Sequence, residues 1–193
     1  MSPRVHSLKC PRPPRSLFHS NLMKKLGVLS FAFLTACSLR SSTPEEKLAT
    51  LGLTLPPVSA PVANYVSAVR VNSLIFLSGH LPRNAAGQVI TGRLGAELDD
   101  AAGAAAARQT TLALLATLKA EIGELSKVKR IVRVGGFVNA TPEFTHQPQV
   151  INGSSDLLVA VFGDRGKHAR AAVGVNSLPL GAAVEIELIV EIE

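Results

Sequence analysis

From residue 184 onward, apolar and charged positions alternate. Val184, Ile186, Leu188, Val190 and Ile192 fall on one side, and Glu185, Glu187, Ile189 and Glu191 on the other. A period of two is the mark of a β-strand with one face in the core. Before it, residues 170–175 (RAAVGV) read as a second strand of small residues, and a Leu178-Pro179 turn joins the two. Nearer the N-terminus, 62–71 and 73–80 form two more apolar runs, and Asn72-Ser73 is the hairpin turn between them. Residues 81–97 are rich in turn residues and read as a loop. Asp99 or Asp100 then caps an alanine-rich helix that runs to about Ile122 and stops at Gly123. Its inward stripe is Thr111, Leu115, Leu118 and Ile122, with Arg108, Lys119 and Glu121 off the stripe. Residues 127–139 form a further strand. Residues 152–162 form a second helix with Leu157, Leu158, Val161 and Phe162 inward and Gly163 as its stop. A short helix opens at Thr43, where Pro44 suits the first turn and Glu46 completes a capping box; Gly52 ends it.

The order β-β-α-β-α-β-β predicts an α+β sandwich, a mixed sheet with two helices on one face. The apolar side of residues 184–192 is expected under the helices. Arg170, Ala172 and Gly174 are expected on the opposite face, with the glutamates.

Charge changes this picture less than the total suggests. The chain of 193 residues has a formal net charge of +6, with 20 basic and 14 acidic residues. Six of the basic ones (Arg4, Lys9, Arg12, Arg15, Lys24 and Lys25) precede Cys37, and no acidic residue does. The remainder is therefore neutral, and the basic excess says nothing about a binding surface. Both cysteines, Cys10 and Cys37, also lie in this leader, so the domain has no thiol nucleophile, disulfide or cysteine metal site.

Residues 1–22 are Pro-, Arg- and Ser-rich without periodicity and read as an upstream stretch included by an early start, with Met23 the better start. Residues 23–36 have the form of a secretory signal: Lys24 and Lys25, a short apolar run from Leu26 to Phe33, then Leu34-Thr35-Ala36-Cys37. That last string resembles a bacterial lipobox. It makes Cys37 the expected lipidated N-terminus of a protein anchored in the cell envelope without a spanning helix. A cytoplasmic form, the alternative, needs a non-AUG start, since no methionine follows Met23. Residues 37–56 read as a linker with the short helix, and 57–193 as the domain.

Two residues stand out as chemistry. Arg170 is the one charge in a run of small residues, and a guanidinium grips a carboxylate through two parallel hydrogen bonds. Glu185 is a carboxylate that can hold a water and take its proton. The plainer alternative is an ion pair between Arg170 and Glu185 or Glu187. Glu187 and Glu191 read as solvated-face residues. His80, His146 and His168 have no ligand spacing and read as surface or loop residues. Gly79, Gly135 and Gly136 read as turn or close-packing glycines.

Three strings, NYVSAVRVNSLIFLSGHLP (Asn64 to Pro82), GELSKVKRIVRVGGFVN (Gly123 to Asn139) and HARAAVGVNSLPLGAAVEIE (His168 to Glu187), resemble the reactive-intermediate deaminase family, also called YjgF-like or L-PSP endoribonuclease-like. The resemblance runs from about Pro57 to the C-terminus. It implies the chorismate-mutase-like α+β fold and a homotrimer with three clefts between subunits. It also implies hydrolysis of 2-imino acids to 2-keto acids and ammonia, without metal or other cofactor. In such a site Arg170 binds the substrate carboxylate and Glu185 holds the attacking water. Tyr65, Ser78 and Gly79 shape the cleft, and Asn152 lines it. Tyr65 as a core aromatic is the plainer reading of that residue. Ala172 stands where well-studied members carry Cys, Ser or Thr, and Thr141 to Leu158 is longer than in short members, which points to a divergent branch. Two other functions remain open: a non-catalytic trimer that binds small carboxylates, and an endoribonuclease. The neutral domain, with a single tyrosine, argues against nucleic-acid binding.

Overall fold

The alternation at the C-terminus places its strand at the centre of the sheet. In the computed structural model, which describes residues 42–58 and 63–193, β1 (Ala68–Val71), β2 (Leu74–His80), β3 (Val128–Asn139), β4 (Ala169–Val175) and β5 (Val184–Ile192) form one sheet in the order β1-β2-β5-β3-β4. β5 is antiparallel to both neighbours, and β3 and β4 run parallel. The leader, Cys37 and Val62 of the expected first strand lie outside the described residues.

Two long helices, α2 (Asp100–Ile122) and α3 (Gln147–Phe162), provide the crossovers that parallel strand pairs require. The observed order is the expected one, preceded by α1 (Pro44–Thr50). The fold is α+β, mixed-sheet and chorismate-mutase-like, with α2 and α3 on one face. Val184, Ile186, Leu188, Val190 and Ile192 are buried beneath them, against Leu114, Leu115, Leu118, Leu157 and Leu158.

Local chemistry sets the ends. The Asp99 carboxylate accepts the Ala102 N–H at 2.8 Å, and Gly123 (φ 87°) closes α2. Thr43 and Glu46 make the reciprocal capping box at α1. Leu48 of α1 is buried in the core, and Glu45 reaches the Leu125 N–H and the Lys119 ammonium, so the core takes in residues upstream of Pro57. Helix α3 begins at Gln147, five residues before its expected start, with Pro148 in its first turn. Proline is tolerated there because a first-turn N–H has no intrahelical partner.

The two helices cross closely. A Cβ at Gly153 would collide with the carbonyl oxygen of Ala104 and lie 2.8 Å from its carbon. About two turns along α2, Thr111 shares a buried hydroxyl–hydroxyl hydrogen bond of 2.7 Å with Ser154. Among the described residues, no helix is long and apolar enough to cross a membrane.

Candidate functional site

Arg170 and Glu185 lie on opposite faces of the sheet. Arg170 stands beside Val134 in the parallel β3–β4 register, and Glu185 stands opposite Phe137 in the antiparallel β3–β5 register. Positions 134 and 137 differ by an odd number, so their side chains point to opposite faces. This corrects the expectation that Arg170, Ala172 and Gly174 share the glutamate face. The three do share a face, but it is the helix face: Ala172 packs against the core, and a Cβ at Gly174 would meet Gln147 of α3. Ala172 and Gly174 are small because the core and α3 lie close over them. The ion pair of Arg170 with Glu185 or Glu187 is also absent: Glu187 pairs with Arg133 at 2.7 Å and Glu191 with Lys129 at 2.6 Å.

On the helix face, at the β4 edge, the Arg170 guanidinium is exposed and tied through one nitrogen. Its Nη1 donates to Asn152 Oδ1 at 2.8 Å and to Ser155 Oγ at 3.1 Å. Asn152 and Ser155 sit three residues apart on α3 and so present one face. Nε and Nη2 make no hydrogen bond to the described residues, which leaves the forked edge free for a planar anion. Behind Ser155 stands His168, whose Nε2 is 3.0 Å from the hydroxyl and whose Nδ1 is 2.6 Å from the Gly166 carbonyl. Sequence reasoning had set His168 aside and had not noticed Ser155. The three-residue step from Asn152 to Ser155 and the two-residue step from His168 to Arg170 were the signals available.

On the open face, Glu185 lies over Gly79. A Cβ there would collide with Glu185 Oε1 and stand 2.9 Å from Cδ, so the carboxylate occupies the space that glycine leaves. A bulge between Leu77 and His80 shapes this part of β2. Ser78 is pinned there twice, its N–H donating to the Ser67 carbonyl at 3.0 Å and its Oγ to the Val66 carbonyl at 2.8 Å. His80, turned inward, bonds the Ser78 carbonyl through Nδ1 and Thr117 Oγ1 through Nε2, both at 2.8 Å. Burial lowers its pKa, against the opposing pull of the backbone hydrogen bonds at Ser78 and Gly79. Tyr65 is exposed just ahead of β1, one residue from Val66, and is not a core aromatic. Gly135 and Gly136 are close-packing glycines, one making room for Glu187 and the other for Ile151.

The Glu185 carboxyl has its pKa raised, first by burial and then by the negative charge of Glu187. It makes no hydrogen bond to the described residues, so its oxygens are available to a water. The site thus has two halves. One is a guanidinium edge that offers only donors, and the other is a carboxylate with raised proton affinity. The sheet separates them within one protomer. Among the described residues, no cluster of His, Cys, Asp and Glu is placed to hold a metal ion.

Known proteins match this architecture. Residues 45–192 fit the family described as "YjgF/chorismate_mutase-like, putative endoribonuclease". Protein TCP17 of Trypanosoma cruzi is 48% identical over 143 residues, 74% of this chain and 89% of that protein. The crystal structure of protein Atu1372 from Agrobacterium tumefaciens, of unknown function, superposes with a TM-score of 0.72 at 44% identity, over 78% of this chain and 94% of that one. A 2-iminobutanoate/2-iminopropanoate deaminase of Dermatophagoides farinae is 29% identical over 73% of this chain and 95% of its own. With the sheet order, the two crossover helices and a match over most of the chain in agreement, this protein belongs to the YjgF/chorismate mutase-like family.

Proposed function

We propose that the protein hydrolyses reactive 2-imino acids to 2-keto acids and ammonia, in a cleft that two copies of the chain complete. The observation that carries this reading is Glu185: a half-buried carboxylate without a hydrogen-bond partner among the described residues, its proton affinity raised, laid over Gly79. Such a group can hold a water and accept its proton. Arg170, with its Nε–Nη2 edge open, takes the substrate carboxylate. Because these groups lie on opposite faces of one sheet, the Arg170 of one copy works with the Glu185 of a neighbour. The open face supports this, since Val69, Phe76 and Val173 are 49%, 40% and 45% exposed around the glutamate row, an apolar surface suited to a second copy. A ring of three copies gives three such clefts. Asn152 lines the arginine side, and Ser78, Gly79 and Tyr65 line the glutamate side.

The chemistry needs little more. The water oxygen bonds to the imine carbon, the C=N electron pair moves to nitrogen, and Glu185 takes the water's proton and passes it to nitrogen. Glu185 then relays the hydroxyl proton to the amine, the oxygen lone pair forms C=O as the C–N bond breaks, and a 2-keto acid and ammonia result. Positioning through the carboxylate supplies the proximity.

The test is ammonia release from freshly generated 2-iminobutanoate, with Arg170→Ala and Glu185→Gln alongside. Acceleration lost in both variants supports the reading. No acceleration by a folded assembly refutes it. The separation of the two groups favours a second reading, a carboxylate-binding protein without turnover: the arginine half is complete in one protomer. Wild-type binding of 2-oxobutanoate, lost in Arg170→Ala and without imine turnover, would select it.

A further inference from the structure

The free edge of Arg170 is held ready by a chain of hydrogen bonds that runs from the guanidinium into the protein. The direction of each bond follows from what its atoms can do. A guanidinium has no acceptor, so Arg170 Nη1 donates to both Asn152 Oδ1 and Ser155 Oγ. The Gly166 carbonyl has no proton, so His168 Nδ1 carries one and donates to it at 2.6 Å. In the neutral ring Nε2 is then the acceptor, and the Ser155 hydroxyl donates to it at 3.0 Å.

We propose that His168, acting through Ser155, is a positioning residue for Arg170: by accepting the hydrogen bond of the Ser155 hydroxyl it turns the Ser155 oxygen lone pairs to Nη1 and fixes the guanidinium with its Nε–Nη2 edge outward. This rests on the reading of Arg170 as the carboxylate site and assigns two side chains to that role that the family resemblance did not. It also defines the ligand. With Nη1 committed to Asn152 Oδ1 and Ser155 Oγ, the edge that Arg170 turns outward, Nε and Nη2, offers N–H donors and a positive charge. Its partner is an anion with two oxygens side by side, a carboxylate rather than an amide, ester or alcohol.

The surroundings favour the neutral imidazole. Burial and the positive charge of Arg170 lower its pKa against the opposing pull of the Gly166 hydrogen bond. The groups that meet it are Ser155 from α3, the Gly166 carbonyl from the preceding turn and Arg170 from β4. The turn is itself pressed against α3, since a Cβ at Gly166 would collide with the Leu158 carbonyl oxygen and lie 2.9 Å from Val159 Cα.

The experiment has two readouts on the intact protein. Side-chain arginine NMR follows the Nη protons of Arg170, and calorimetry follows the binding of 2-oxobutanoate. In wild type the Nη1 protons are resolved from Nη2. They merge in Ser155→Ala and His168→Phe, and 2-oxobutanoate binding weakens by about three- to tenfold, the factor that a lost hydrogen bond corresponds to. His168→Gln, whose side-chain oxygen can accept the Ser155 hydrogen bond, restores both. A tie that merely joins α3 to β4 would shift melting without this pattern of rescue. An unchanged Arg170 spectrum in folded His168→Phe and Ser155→Ala overturns the inference. A wild type with a fixed guanidinium released by His168→Phe, yet blind to 2-oxobutanoate, supports the positioning role and refutes the carboxylate reading, so the two failures are distinct.

Discussion

Replacing Gly79 by alanine separates the site from the fold. The added Cβ would stand 2.9 Å from Glu185 Cδ and in collision with Oε1. Ordinary carbon–carbon contact is about 3.5–4.0 Å, so the carboxyl carbon retreats by roughly 0.6–1.1 Å. The obstacle is the end of a flexible side chain, and Gly79 does not have a positive φ. The backbone therefore accepts alanine, and the stability change stays within about 1 kcal/mol, with the reduced freedom of the unfolded chain offsetting part of the strain. Catalysis is less forgiving, because displacing a catalytic group by about 1 Å costs on the order of a hundredfold. The expected result is a kcat for ammonia release from 2-iminobutanoate lowered about a hundredfold, with KM and melting temperature nearly unchanged. KM is spared because Arg170 of the neighbouring copy, untouched by the change, still holds the carboxylate. Glu185→Gln on top of Gly79→Ala then causes little further loss, since both changes remove the same group from the same place. Wild-type activity in Gly79→Ala would refute the placement of the base over this glycine. Loss of activity together with a collapsed melting temperature would refute the claim that the side chain yields while the backbone does not.

Other outcomes follow from the same coordinates. The raised Glu185 pKa means that the folded state binds this proton more tightly than the unfolded chain, so the stability contributed by the group is present below the ordinary carboxylate value of 4.5 and lost as pH rises through the raised one. Glu185→Gln should therefore melt above wild type at about pH 7, with the gap closing toward about pH 4, and a gap independent of pH would count against the shift. Arg170→Lys keeps the charge but loses the fork, and KM for the imine should rise by about 10- to 100-fold; an unchanged KM would remove Arg170 from the site. Gly153→Ala drives a methyl into the Ala104 backbone carbonyl, which cannot swing aside. The cost of about 1–3 kcal/mol should lower the melting temperature by roughly 4–10 °C, and a neutral result would show that α2 and α3 are less closely packed than described.

Residues differ in how openly the sequence declares them. β5 is central and antiparallel, with one face in the core and one open, so its own alternation fixes which side chains point where. Glu185 could be placed from that pattern alone. β4 gives no such signal. Among the described residues it is an edge strand paired with β3 alone, and its run of small residues and valines has no apolar face to read. The face that Arg170 takes is decided by the parallel register with β3, and a shift of one residue would reverse it. The start of α3 was hidden for a local reason. No side chain caps it, and Pro148 reads as a break, although Val150 and Ile151 extend the buried stripe backward.

The same asymmetry explains why a pair of residues legible one at a time was misread as a pair. Arg170 and Glu185 each carry a recognisable signal, and proximity in a motif suggests proximity in space. A sheet alternates faces at every residue, so two side chains on strands either side of a third share a face or diverge according to the parity of the step along that third strand. Here β3 sets Val134 beside Arg170 and Phe137 opposite Glu185, and the odd step sends the guanidinium beneath α3 and the carboxylate to the open face. One chain then holds both chemical groups without holding a site. If turnover needs both, it needs a second copy, and the apolar residues beside the glutamate row become part of the function as well as the assembly. Activity should accordingly fall with dissociation, even where each protomer stays folded and Arg170 still binds a carboxylate.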